Sequence, residues 1–302
     1  MNQVNRNPTE YKTLLPIAQK YDYFLLDLWG VIHDGDKLYP GAKEAIENLY
    51  LMGKHIVFVS NAIFRNEVVI EQLTSLGIPR ELYTGVISSG EVLHRQCKAA
   101  EKKQKYFYVG SDIGHKMTEG TGFEHVTSAR EAKFFLANSP VSYDAKIEEI
   151  MPQIREALEA GLPLLCPNPD RVVHRQSGES RYCPGAIADV YREMGGQTYY
   201  IGKPYAAIYK IALSMFGDNI DKSKVVMIDD GLPTGITGAN RMGIDSVLVL
   251  GGILQIEKLP LEEVLKKANT YPTATLPKFS FTEPSLAAGV LETRNGTGER
   301  IV

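Results

Sequence analysis

Short apolar runs that stop at a polar residue alternate along this chain with stretches of helical periodicity. Phe24 to Leu26 ends at Asp27, His55 to Val59 at Ser60 and Asn61, and Val225 to Ile228 at Asp229 and Asp230. Between the first two runs, Pro40 and Gly41 open a helix that Gly53 closes, and a second helical pattern reaches Leu76 and stops at Gly77. LYTGVISSG supplies a third strand. Near the other end QTYYIG, a helix from Pro204 to Phe216 closed by Gly217, KVVMIDD and SVLVLGG repeat the same order. Strands alternating with helices predict an α/β fold, a doubly wound parallel Rossmann-like sheet covered on both faces. The two ends read as one core domain, residues 15–90 and 185–260.

Between them, residues 91–184 carry apolar runs of their own, KYFYVG, AKFFLA and LPLLCP, and a helical pattern from Asp144 to Ala160. This segment is expected to be an inserted α/β cap domain. Residues 261–302 are poor in apolar periodicity and read as an appended element followed by a loose tail.

Composition narrows the partners. The 302 residues are 44% hydrophobic and 23% charged, and 33 basic residues against 36 acidic ones leave a net charge of −3 with no basic run. That argues against a nucleic-acid partner and against a charged membrane surface, leaving small molecules. The opening MNQVNRNPTEYK has no apolar centre, and no stretch approaches the roughly 18 apolar residues of a spanning helix. Cys97, Cys166 and Cys183 are odd in number and widely spaced, which speaks against a disulfide framework or a zinc site. A cytoplasmic protein is expected, and a homodimer is left open.

Parallel sheets place ligands beyond the carboxyl ends of their strands, so the residue after each run is the informative one. Taken singly, each has an ordinary explanation: Asp27 a turn former, Ser60 and Asn61 helix caps, Lys203 a solvated side chain, Asp229 and Asp230 an acidic turn, Asn168 and Asp170 of CPNPDRVVH a loop. Taken together, a carboxylate, a small hydroxyl, a lysine and a second acidic pair converge on one crevice. Adjacent carboxylates repel unless a cation holds them, and hard oxygen donors suit Mg²⁺. With that charge neutralised, Asp27 could attack a phosphoryl group and form an aspartyl-phosphate, while Ser60 and Asn61 bind the transferred oxygens.

The order DLWGV, FVSN, IGKP and VMIDDGLPTG resembles the haloacid dehalogenase-like superfamily over residues 21–252. The long insertion, with NPD and PGAI ahead of GKP, resembles subclass IIA, the branch of sugar-phosphate and nitrophenyl-phosphate phosphatases. The resemblance implies a Mg²⁺-dependent phosphatase of a small phosphate ester. Asp27 would be its nucleophile, and the carboxylates of Asp27 and Asp230 and the carbonyl of Trp29 its metal ligands. Ser60, Asn61 and Lys203 would bind the phosphoryl group, Asn168 and Asp170 would shape the substrate side, and Asp229 and Thr234 would stand behind the metal ligands.

Two departures stand out. The family's first motif is DxD, its second Asp acting as general acid and base, and that place holds Trp29. The fourth motif, GDxxxTD, here reads DDGLPTG, with Asp229 in the glycine position and Gly235 in place of the second acid. A water, or a nearby group such as His33 or Asp34, could replace the missing acid. A phosphate-ligand binder without turnover and a dehalogenase-like substitution at carbon are the alternative readings; the lysine and paired acids favour phosphorus.

Overall fold

In the computed structural model, described here over residues 7–140, 142–254 and 260–283, the strands in chain order are β1 (Thr9–Glu10), β2 (Tyr23–Leu26), β3 (His55–Ser60), β4 (Gly85–Ser88), β5 (Lys105–Val109), β6 (Glu124–Val126), β7 (Phe134–Ala137), β8 (Leu164–Cys166), β9 (Val172–His174), β10 (Ser180–Tyr182), β11 (Thr198–Tyr200), β12 (Val225–Asp229), β13 (Asp245–Val249) and β14 (Ala274–Leu276). A seven-stranded sheet runs β1-β14-β13-β12-β2-β3-β4, with every pairing parallel. Successive side chains of a strand point to opposite faces, so a strand covered on both sides must be apolar throughout. Phe24 and Leu26 pack with Ile46 and Leu49 of the helix Ala42–Leu51 on one face. Leu25, Val57 and Met227 pack with Ile208 and Ala212 of the helix Ala206–Ser214 on the other. From β2 the chain winds outward through β3 and β4, and from β12 the opposite way through β13 and β14. The winding reverses between β2 and β12, and open α/β sheets bind ligands at that crevice.

A five-stranded parallel sheet, β11-β8-β7-β5-β6, forms the second layer, with its own core of Phe107, Phe135, Leu164 and Tyr191. An antiparallel hairpin, β9–β10, projects from the segment that links β8 to the helix Pro184–Glu193.

Several strand assignments change. QTYYIG, expected in the core sheet, supplies β11, which pairs with β8. The helix Pro184–Glu193 buries Ile187, Ala188 and Tyr191 in the second sheet's core. The segment allied to the second sheet therefore runs to Tyr200 rather than ending at 184. At its other end the helix Ser89–Ala99 buries Val92, Leu93 and Cys97 in the cluster that holds Leu25 and Val57, so it covers the core sheet although 91 was the expected boundary. Ala274–Leu276, read as part of an appended element, adds a strand to the core sheet and pairs with β1 at Thr9–Glu10. The expected tail, residues 284–302, lies outside the described residues. Cys97, Cys166 and Cys183 are buried and free. Among the described residues no helix is long and apolar enough to cross a membrane.

Candidate active site

Because β2 and β12 are paired neighbours, Leu26 beside Ile228, their carboxyl ends deliver Asp27 and the Asp229–Asp230 pair to the same point. The Asp27 amide donates to the Ile228 carbonyl (2.9 Å) and fixes that register. The three carboxylates each present an oxygen within 4.8 Å of the others. Lys203, 2% exposed, reaches in from the turn after β11 and contacts Asp27 Oδ1 and Asp229 Oδ2, both at 2.6 Å. Burial alone would lower its pKa, but Asp229, Asp27 and Asp170 outweigh that and hold it above the usual lysine value. The ammonium is therefore charged.

One lysine does not satisfy three buried acids. Burial, then repulsion from Asp229, pushes Asp27 well above the ordinary carboxylate range against the pull of Lys203. The same two causes push Asp230 up to about 7. Two negative charges in excess of the lysine, all on hard oxygen donors, make a set whose chemistry fits a divalent cation.

The backbone is shaped around these acids. Gly30, at φ +92°, lies so close to Asp230 that a Cβ there would come within 2.0 Å of its carboxylate. Asp230 Oδ2 accepts from the Ile253 amide (2.9 Å), and Asp229 Oδ1 from the Gly231 amide (2.7 Å). A Cβ on Gly235 would fall 2.0 Å from the Asp229 carboxylate. The two departures in the fourth motif are thus a reciprocal exchange: the carboxylate at 229 occupies space that a side chain at 235 would need. Thr234, buried on the same turn, reaches toward the Gly231 carbonyl (3.5 Å).

Ser60 and Asn61, at the end of β3, sit as expected beside this cluster, but the Asn61 carboxamide is already engaged. Its Oδ1 accepts from the Lys203 amide (2.7 Å) and its Nδ2 donates to Asp170 Oδ1 (3.0 Å) and the Lys203 carbonyl (3.3 Å). Asn61 therefore positions Lys203 and ties the core to the NPD turn rather than offering a free amide. Asn168 closes that turn through Oδ1 and the Asp170 amide (2.8 Å). A cavity of about 760 Å³ opens over the cluster. Asp27, Trp29, Ser60, Asn61, Asp229, Asp230 and Thr234 line it from below, and Asn168 and Asp170 from the side of the second sheet.

Two family models match the parts of the chain that build this crevice: haloacid dehalogenase-like hydrolase over residues 24–124 and a HAD-hydrolase-like model over 200–277. Together they cover more than half of it. The chain belongs to the haloacid dehalogenase-like hydrolases. It is 27% identical over 257 residues to an acid sugar phosphatase of Staphylococcus aureus, an alignment spanning 82% of this chain and 93% of that protein. A hydrolase of the same family from Brucella suis has a solved structure that superposes with a TM-score of 0.79 at 26% identity, covering 89% of this chain and 99% of that one. A p-nitrophenyl phosphatase from Archaeoglobus fulgidus shares the fold, with a TM-score of 0.69 at 23% identity and coverage of 86% and 97%.

In this haloacid dehalogenase-like hydrolase the loop after β2 is rebuilt around Trp29. The indole N–H donates to the His174 carbonyl of the β9–β10 hairpin (2.8 Å), and its ring meets that of His33 edge-on, with centroids 6.1 Å apart. Gly35, at φ +98°, lets the loop lie against the indole, where a Cβ would come within 2.6 Å of the ring. Neither side chain expected to replace the missing acid is in its acidic form. Burial would raise the Asp34 pKa, but the amides of Gln176, Lys37 and Asp36, which all donate to its carboxylate, outweigh burial and hold it below the usual value. Asp34 is an ionised anchor. His33, 3% exposed, is pulled down to about 4 by burial, only partly offset by Asp34. Its Nδ1 accepts from the Gly35 amide (2.9 Å), which leaves the proton of the neutral ring on Nε2.

Sequence reasoning missed the hairpin. VVH and SRY around the turn RQSGE were its signal, two short runs separated by turn residues. It also missed Arg181 and Tyr205, which line the cavity; nothing in their neighbourhood marked them.

Proposed function

We propose that this protein is a Mg²⁺-dependent phosphatase that hydrolyses a small phosphate ester, such as a sugar phosphate, through an aspartyl-phosphate on Asp27. The observation that carries the reading is Lys203 held between Asp27 and Asp229, beside Asp230, at the reversal point of the sheet. The names of relatives, an acid sugar phosphatase and a p-nitrophenyl phosphatase, support the same class. Asp27 and Asp230, the main-chain carbonyl of Trp29 and, in this chain, Asp229 would hold the cation. When bound, Mg²⁺ would neutralise the excess negative charge and polarise the transferring group.

The chain's own groups divide the remaining work. Asp27 Oδ forms the new bond to phosphorus as the ester oxygen departs with the electron pair of the breaking P–O bond; water then cleaves the acyl phosphate. Lys203 keeps Asp27 oriented and offsets charge in the transition state. Ser60 is the hydroxyl placed to meet a phosphoryl oxygen, and Asn61 keeps Lys203 in line. The departing oxygen takes its proton from solvent, because Asp34 is ionised and His33 is a neutral imidazole whose remaining N–H is too weak an acid to give one.

p-Nitrophenyl phosphate tests this. Turnover should require added Mg²⁺, vanish with chelator and fall by about three orders of magnitude or more in Asp27→Asn. Undiminished turnover in that variant would end the nucleophile assignment. One observation favours a second reading, a binder of phosphate esters without turnover: neither Asp34 nor His33, the groups on the leaving-group side, is in a proton-donating form. Mg²⁺-dependent binding of inorganic phosphate with no hydrolysis would select it.

A further inference from the structure

The β9–β10 hairpin is a two-stranded piece, and isolated hairpins of that kind are marginally stable in water. Its conformation therefore depends on what it rests on. Arg175 of its turn and Arg181 of β10 both lie over the Tyr143 ring, 4.1 and 4.8 Å from its centroid. Through His174, Arg175 and Gln176 it also meets the loop that follows Asp27, and three contacts join residues more than 130 positions apart. The Trp29 indole donates to the His174 carbonyl at 2.8 Å. The Gln176 amide donates to Asp34 Oδ2 at 2.9 Å. Arg175 pairs with Asp36 Oδ1 at 3.1 Å.

Two of these three use backbone groups of the hairpin, so they define where its main chain sits irrespective of its side chains. The receiving loop is itself stiff: the Gly30 amide donates to the His33 carbonyl (3.1 Å), Asp34 Oδ1 collects the amides of Asp36 and Lys37, and Gln72 donates to the Gly35 carbonyl (3.0 Å). Val172, Val173, His174 and Arg181 of the hairpin form part of the cavity wall beside Asp27.

We propose that Trp29 is a positioning residue that latches the hairpin Val172–Tyr182 over the leaving-group side of the cavity, with Asp34 and Asp36 as the other two catches. The hairpin's inward face then reads the part of the substrate that departs. The residue at the family's acid–base position thus acts on the roof of the site instead of on the leaving oxygen. The kinetic consequence rests on the phosphatase reading; the docking itself does not.

Trp29→Phe keeps a ring but removes the N–H. Peptide-level hydrogen exchange on the full chain should show the amides of residues 172–182 exchanging about three- to tenfold faster, the range set by losing one hydrogen bond. Peptides covering β5 and β7 serve as internal reference and should be unchanged. With p-nitrophenyl phosphate, KM should rise by a similar factor while kcat stays within about twofold. Asp34→Ala, which removes a different catch, should accelerate the same amides, and the double variant should show less than the product of the two effects, since both act on one docked element. Asp34→Asn, which keeps an oxygen acceptor, should restore part of the protection. Hairpin exchange unaltered in Trp29→Phe, or a fall in kcat with KM unchanged, would overturn the proposal. If Trp29→Phe does not fold, hairpin exchange in Asp34→Ala decides in the same way. Faster exchange in a protein that hydrolyses nothing would uphold the latch and remove the phosphatase reading instead.

Discussion

The floor of the cavity and its leaving-group wall meet at the loop that follows β2, yet they treat charge in opposite ways. On the floor, three buried carboxylates share one lysine and carry an unmet demand for positive charge. On the wall, the groups of the loop are spent on structure: Asp34 on three amides, Trp29 on a carbonyl of the hairpin, His33 Nδ1 on Gly35. Unmet demand invites a ligand, whereas groups already engaged with the backbone give shape. On the proposed reading, the difference teaches that this molecule retains the half of the apparatus that would hold and attack a phosphoryl group. Where that reading expects a group to protonate the leaving oxygen, the loop instead contacts the hairpin through Trp29, Asp34 and Asp36.

The largest effect should come from breaking the floor. Asp229→Gly leaves Lys203 buried with half its counter-charge, and removing one partner of a buried pair costs about 3–5 kcal/mol; urea denaturation should report that loss, and hydrolysis should drop by about 10²-fold or more. If positions 229 and 235 are a reciprocal exchange, the double variant Asp229→Gly with Gly235→Asp should recover most of both, because it returns a carboxylate to the same space from the other side of the turn. A double variant worse than the single one would refute the exchange.

Next in size is an attempt to make the wall reactive. Trp29→Asp supplies a carboxylate while releasing one catch of the latch. Absolute rates will reflect both, but the ratio of kcat/KM for a simple sugar phosphate to that for p-nitrophenyl phosphate should rise, by about 10²-fold at the lower end of what general acid help contributes. Equal factors for the two substrates would mean that position 29 does not face the leaving group.

The smallest effect concerns His33. Its folded-state pKa, near 4, lies below the unfolded value of about 6.5, so the unfolded chain binds a proton that the folded chain refuses as pH falls through that window. Stability should therefore decline from pH 6.5 toward 4. His33→Gln should remove about 2 kcal/mol of the decline between pH 7 and pH 4.5, measured as a difference in urea unfolding free energies. Its pH–rate profile should keep the acid limb of the wild type, because a histidine that is neutral throughout contributes none.

Much of the floor was legible in the sequence because it depends on local rules. An apolar run that ends in Asp27, Ser60 or Asp229 announces a buried parallel strand and the polar group at its carboxyl end, whichever partners the strand finds. The wall was not legible, because its meaning lies in pairings across more than a hundred residues with backbone groups, which no residue type encodes: the His174 carbonyl that receives Trp29 and the Gln176 amide that Asp34 caps. Sheet membership failed for the same reason. Thr198–Tyr200 looks like any strand before a helix, and only its pairing with Leu164–Cys166 assigns it to the second layer. Ala274–Leu276 is three residues long, with prolines at 272 and 277, too short for a period to show.

Trp29 is the only tryptophan among the 302 residues, and it stands at the seam between the two sheets with its indole nitrogen on the hairpin and its ring on the cavity wall. The protein therefore carries a native fluorophore at a place where seating of the hairpin and filling of the cavity both alter the surroundings of a single ring. Emission wavelength and intensity, read without label or turnover, convert the junction of cap and core into an optical signal that every ligand of this site must pass through.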